Sequence, residues 1–222
     1  MQVDGGQVGW KFWRRWALAS SSGWFAGFLV GFVAASAFEP VLGIGPLQGT
    51  HAYFMLGACL GAGVGLAQWL VLRRRISGTG WWVAASAGGT GIAGGAGYGA
   101  AVLLFGYSEG LEELGSFAAV LGWTVVAAFG GAVAGIFQWR LVRRQVSRAE
   151  WWVLASTAGW GLGMAVAGAV MVVGFHAMSD PKPVLYGALL FLGGLVAGGI
   201  VLGAFTGAAI VWLLTQPMPE AS

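Results

Sequence analysis

The sequence predicts an all-α integral membrane protein of six transmembrane helices, arranged as three repeated helix hairpins with pseudo-threefold order about the membrane normal. Three observations predict this class. Of 222 residues, 58% are hydrophobic and only 9% are charged, against about 25% charged in an ordinary soluble domain. Six separate stretches are long and apolar enough to cross a hydrocarbon core of roughly 30 Å, which takes about 20 residues. The same segment recurs at an offset of 70 residues. A surface so poor in charge is excluded for a soluble protein. The 41 glycines have no three-residue period, which excludes collagen, and the apolar content excludes a disordered tail.

The elements follow in chain order. Spans are expected over 16–38, 49–72, 82–105, 116–141, 152–175 and 184–214. The last is long enough to tilt or to project beyond the bilayer. Short loops join them, so the chain reads as one membrane domain over 1–222. The first span imitates a signal peptide, with Lys11, Arg14 and Arg15 before an apolar run and Ala35-Ser36-Ala37 after it. Its apolar run exceeds the usual 7–15 residues of such a segment, and it resembles later spans, so it is expected to be retained.

Repetition fixes the expected hairpin unit. Residues 61–69 read GAGVGLAQW and 131–139 read GAVAGIFQW, followed by LVLRRRISGTGWWVAAS and RLVRRQVSRAEWWVLAS. WALASSSGW at 16–24 matches WVLASTAGW at 152–160, and GAFTG at 203–207 matches GAGVG at 61–65 without the Gln-Trp pair. The units are thus about 10–75, 76–145 and 146–215.

The cations set the orientation. Ten of eleven basic residues fall on one side: Lys11, Arg14 and Arg15; Arg73, Arg74 and Arg75; Arg140, Arg143, Arg144 and Arg148. The opposite loops carry Glu39, then Glu109, Glu112 and Glu113, then Asp180 with Lys182. Short loops obey the positive-inside rule, so both termini are expected in the cytoplasm. A pI near 9.4 then needs no nucleic acid, because the cations face anionic lipid. The same arginines (Arg14, Arg15, Arg73–Arg75, Arg143, Arg144, Arg148) form the expected surface for anionic lipid or for an acidic cytoplasmic partner.

Glycine and tryptophan have positional meaning. Gly23/Gly27/Gly31, Gly89/Ala93/Gly97 and Gly159/Gly163/Ala167 recur every fourth residue on odd spans. Gly57/Gly61/Gly65, Ala127/Gly131/Gly135 and Gly199/Gly203/Gly207 do so on even ones. Such residues share one helix face, where small side chains let backbones approach in lipid. Trp10, Trp13, Trp16, Trp69, Trp81, Trp82, Trp139, Trp151, Trp152 and Trp212 fall at the inner helix ends, the headgroup level that indoles prefer. Trp24 and Trp160 lie about two turns deeper, where a buried N–H needs a partner; packing or a pigment or hydrophobic ligand would explain them.

Candidate chemistry is sparse. The chain has two histidines and one cysteine, and its expected spans hold no Asp or Glu. No nucleophile–base or HExxH pattern occurs, so no enzyme is expected and no cofactor is implied. Cys59 reads as a small packing residue. Coupled carriers place ionisable groups in the membrane; here the spans offer only Ser, Thr and Gln. Ser20, Ser86 and Ser156 are repeat equivalents, as are Gln68 and Gln138. They are expected either to form a polar ring near the inner mouth or to knit neighbouring helices. His51, His176, Glu109, Glu112, Glu113 and Asp180 are the candidate ligands for a divalent cation, without a metal-binding spacing.

The QWLVLRRR and QWRLVRR segments, each followed by WW and an Ala-Ser pair, are similar to those of bacterial multi-pass proteins rich in Gly and Trp. The resemblance covers the repeats and implies topology and the bacterial inner membrane; it brings no function with it. Three parallel hairpins also resemble the mitochondrial carriers in architecture, but the Pro-x-Asp/Glu-x-x-Lys/Arg signature of that family is missing. Three functions therefore stand open. The first is an accessory or scaffold subunit that binds lipid or partner helices. The second is a pore or uncoupled transporter for a small neutral or hydrophobic solute. The third is a lipid- or pigment-binding protein.

Overall fold

A computed structural model describes residues 9–38, 46–105, 115–179 and 184–216. Among them are six α-helices and no strand: α1 (Trp10–Phe38), α2 (Pro46–Leu72), α3 (Trp82–Phe105), α4 (Gly115–Val142), α5 (Trp151–Ser179) and α6 (Val184–Leu214). A single 3-10 turn, Thr79–Trp81, leads into α3. Each helix packs against its neighbours in sequence, and α1 closes on α6. Among the described residues no helix backbone lies against that of a non-neighbour, and only side chains meet across the ring. The architecture is a closed ring of six helices around a shared axis.

Five of these helices are long and apolar enough to cross a membrane: α1, α2, α4, α5 and α6. That is consistent with an integral membrane protein. The sixth expected span is not among them. Helix α3 has 24 residues, but glycines at 88, 89, 91, 94, 95, 97 and 99 replace the larger apolar side chains that give its neighbours their hydropathy. The ring surface is apolar in keeping with a lipid environment. Leu18, Val33, Leu103, Val125, Phe117 and Leu185 stand outward and exposed.

Helix α1 starts six residues before the expected 16, ahead of Arg14 and Arg15. The reason is amphipathic packing. Phe12 and Trp16 are buried in the same cluster while Lys11, Arg14 and Arg15 face outward. The Gly9 carbonyl accepts hydrogen bonds from the Phe12 and Trp13 amides, and the Trp13 indole donates to the Ala204 carbonyl of α6 at 2.9 Å. Long polar-faced turns like this one escape a count of apolar residues.

Small residues set the helix spacing. A Cβ at Gly27 would lie 2.6 Å from the Cys59 carbonyl oxygen, and one at Gly31 would lie 3.0 Å from the Leu56 carbonyl oxygen. Between α6 and α1, a Cβ at Gly199 would lie 2.7 Å from Ser21 Cα, and one at Gly203 would lie 2.7 Å from Ala17 Cα. Since the obstacles are backbone, side chains cannot move aside.

The basic loops are built alike. After α2, the Arg75 and Ile76 amides donate to the Leu72 carbonyl; after α4, those of Gln145 and Val146 donate to the Val142 carbonyl. Gly78 (φ 72°) and Arg148 (φ 56°), 70 positions apart, are left-handed. The Gln145 side chain joins the loops, accepting from the Ser77 amide and hydroxyl and donating to the Ser77 carbonyl at 2.9–3.1 Å.

Candidate functional site

Two features occupy the ring axis, a closure at the basic end and a cavity beyond it. The closure is aromatic. Trp16, Trp82 and Trp152, near the inner ends of α1, α3 and α5, are at most 1% exposed. Their rings meet in a triangle with centroid distances of 6.4, 6.1 and 5.3 Å. Leu72, Val142 and Ile210 from the even helices are fully buried beside them. These three indoles lie toward the inner helix ends as expected but face the ring axis, buried among the helices. Trp10, Trp81 and Trp151 are more than half exposed; the difference is that residues 16, 82 and 152 project inward from the odd helices.

Each indole N–H in the triangle is satisfied by an even helix. Trp82 Nε1 donates to Gln68 Oε1 at 3.2 Å, and Gln68 Nε2 donates to Ser20 Oγ at 3.2 Å. Trp152 Nε1 donates to Gln138 Oε1 at 2.8 Å, and Gln138 Nε2 donates to Ser86 Oγ at 2.8 Å. Each glutamine thus links two odd helices through the even helix between them. The third indole, Trp16, donates to Thr206 Oγ1 at 3.0 Å. Thr206 passes its own proton to the Leu202 carbonyl, and the Ser156 hydroxyl donates to the Gly131 carbonyl instead.

The contacts also shift the register read for α6. Aligning 203–207 with 61–65 would place Thr206 opposite Val64. Yet a Cβ on Gly203 would meet Ser20 as one on Gly65 meets Ser86 and one on Gly135 meets Ser156. Thr206 therefore performs the acceptor role of Gln68 and Gln138, one turn from the sequence match. Short glycine-rich strings are easily matched four residues out of step, so the interhelical contacts and the hydrogen bond distinguish the registers.

Ser20, Ser86, Ser156, Gln68 and Gln138 are buried and bonded to protein groups as described. Trp24 and Trp160 stack on each other with centroids 5.1 Å apart, two turns or about 12 Å beyond the triangle. Their rings pack on each other, a pairing that no pattern along the chain announces. The Trp24 N–H is buried without a hydrogen-bond acceptor among the described residues. Arg14, Arg15, Arg73, Arg74, Arg75, Arg143, Arg144 and Arg148 are exposed around the basic end. Arg73 and Arg143 lie over the rings of Trp69 and Trp139 at 5.0 and 5.3 Å, and Arg75 lies over Phe12 at 5.4 Å. Of the candidate metal ligands, Glu109, Glu112, Glu113 and Asp180 lie outside the described residues. His51 and His176 are exposed at the far end, and no group of three His, Cys, Asp or Glu gathers among the described residues.

Beyond the Trp24–Trp160 pair the axis opens into a cavity of about 780 Å³ lined by all six helices. Its floor is Trp160, Leu60 and Thr90; Thr90 spends its hydroxyl proton on backbone carbonyls, with Gly57 O at 2.6 Å. Its sides are aliphatic and sulfur-bearing, with Leu56, Ala127, Met164 and Met171. An aromatic wall stands at one side, where Tyr53 of α2 is stacked between Tyr98 of α3 and Trp123 of α4 at 4.6 and 4.8 Å. Ser116 and His176 mark the far end. Residues 160 and 176 are sixteen apart on α5, a rise of about 24 Å. Sequence reasoning missed this cavity, since an inward Leu or Met reads like a lipid-facing one.

Comparison with protein-family models, with curated proteins and with solved structures finds no match for this chain.

Proposed function

We propose that the protein is a non-catalytic, non-conducting membrane module, an accessory or scaffold subunit in the inner membrane of a bacterium. In this reading α3 is the sixth span, the three hairpins are related by a pseudo-threefold axis along the membrane normal, and both termini are cytoplasmic. The single observation that carries it is the aromatic closure. A solute on the axis would have to displace three fully buried indoles together with the Gln68, Gln138 and Thr206 side chains that hold them. The exposed arginines at the same end suit anionic headgroups, each worth about 1 kcal/mol near such a surface, and present a docking face to an acidic partner.

Proteoliposomes test the reading. Swelling rates in glycerol and urea gradients should equal those of protein-free vesicles. A protein-dependent rise would establish the pore or uncoupled transporter instead. A partner recovered in constant ratio after gentle purification from native membranes, and lost with Arg73, Arg74 and Arg75 all replaced by Ala, would support the scaffold role.

A further inference from the structure

We infer that the axial cavity is a binding site for one long hydrocarbon-tailed lipid, held tail-first with its polar head at the end away from the arginines. Four observations point there. The cavity volume, about 780 Å³, falls within the ~300–1,000 Å³ of small-molecule sites. Its shape is elongated: a depth of about 24 Å along α5 exceeds the ~15 Å that one leaflet contributes to the hydrocarbon core. Water is a poor filler, because a buried water needs 2–4 polar partners, and the walls between Thr90 and Ser116 are almost entirely carbon.

Polarity is also graded along the axis. The floor is Trp160 and Leu60 with Thr90, whose hydroxyl is already committed to backbone carbonyls, whereas Ser116 and His176 stand at the far end. That gradient orients an amphiphile: tail against Trp160, head beside Ser116 and His176. Met164 and Met171 flank the path, and the flexible thioether adapts to a chain of irregular shape. The floor is closed from below by the indole triangle, so the site is blind. A ligand enters from the far end or between helices and leaves the same way.

A glycerolipid acyl chain and an isoprenoid share this chemistry, and the test separates them. Full-length protein in detergent is delipidated, then incubated with dioleoyl phosphatidylglycerol or with a long-chain prenol, and examined by native mass spectrometry. Wild type should retain one equivalent of at least one of the two through collisional activation that strips the peripheral lipid. Two variants narrow the cavity at different depths, Ala127→Trp near the floor and Val172→Trp near the mouth. Either, when folded by circular dichroism, should reduce retention at least tenfold. Val125→Trp, on the exposed lipid-facing side of α4, should leave it unchanged. Retention of phosphatidylglycerol alone assigns the site to a membrane phospholipid, and retention of the prenol alone assigns it to an isoprenoid. No retained equivalent in wild type, or equal loss in Val125→Trp, would overturn the proposal. The result is independent of the flux assay: a leaky protein that retains lipid would sink the sealed-module reading and leave this one standing.

Discussion

Trp16 and Trp24 are both buried indoles on α1, yet their N–H groups have opposite fates. Trp16 donates to Thr206, while Trp24 has no acceptor among the described residues. An unmade buried hydrogen bond costs about 1–3 kcal/mol, and a made one contributes about 1 kcal/mol. The same change, Trp to Phe, should therefore act in opposite senses. Trp16→Phe is expected to lower the thermal midpoint in detergent, as is Thr206→Val, and the two together should be less than additive. Trp24→Phe should leave the midpoint unchanged or raise it. A drop for Trp24→Phe as large as that for Trp16→Phe would show that ring area, not the N–H, governs both sites. The left-handed pair makes a second contrast. Gly78→Ala meets no atom within 4 Å, so its cost is conformational, about 1 kcal/mol. Arg148→Gly removes the same strain and should stabilise by up to about 1 kcal/mol, measured as a shift in midpoint.

For elements, helix spacing rests on glycines that face a neighbour's backbone. Gly203→Val should weaken the α6–α1 contact by about 1–3 kcal/mol or more, because overpacking against backbone has no rotamer escape. Gly193→Val, on the same helix with no atom within 4 Å, is the control and should be near neutral. Equal effects would mean that helix propensity rather than contact decides. The helices themselves were legible from apolar length, and the small-residue stripes named the contacting faces. What escaped was whatever depends on two elements at once. The first turns of α1 belong to the helix because Phe12 packs into the tryptophan cluster, and residues 10–15 alone read as a basic flank. Thr206 stands in for a glutamine because of Trp16, 190 residues away in sequence. The cavity needs all six helices placed before any wall residue can be told from a lipid-facing one.

For the whole molecule, the proposed topology predicts which surfaces share a side of the membrane. In a Cys59→Ala background, cysteines at Ser77 and Ser147 should react with an impermeant maleimide only after spheroplasts are lysed, whereas one at His51 should react in intact spheroplasts. Labelling of Ser77 and Ser147 from opposite sides would remove α3 from the membrane and reduce the count to five spans.

The seam between α1 and α6 has a consequence for biosynthesis. Trp13, Trp16 and Ser21 all donate to α6, to Ala204, Thr206 and Val196, across 175–191 residues of chain. Helix α1 is made first of the six, and its acceptors are made last. Until then, three donors on its inward face stay unmatched. The nascent protein is thus an open arc with a polar edge, and the locking event comes when α6 arrives. Stalling translation before residue 196 should leave α1 accessible to crosslinking by insertion factors, and release should follow the emergence of Thr206.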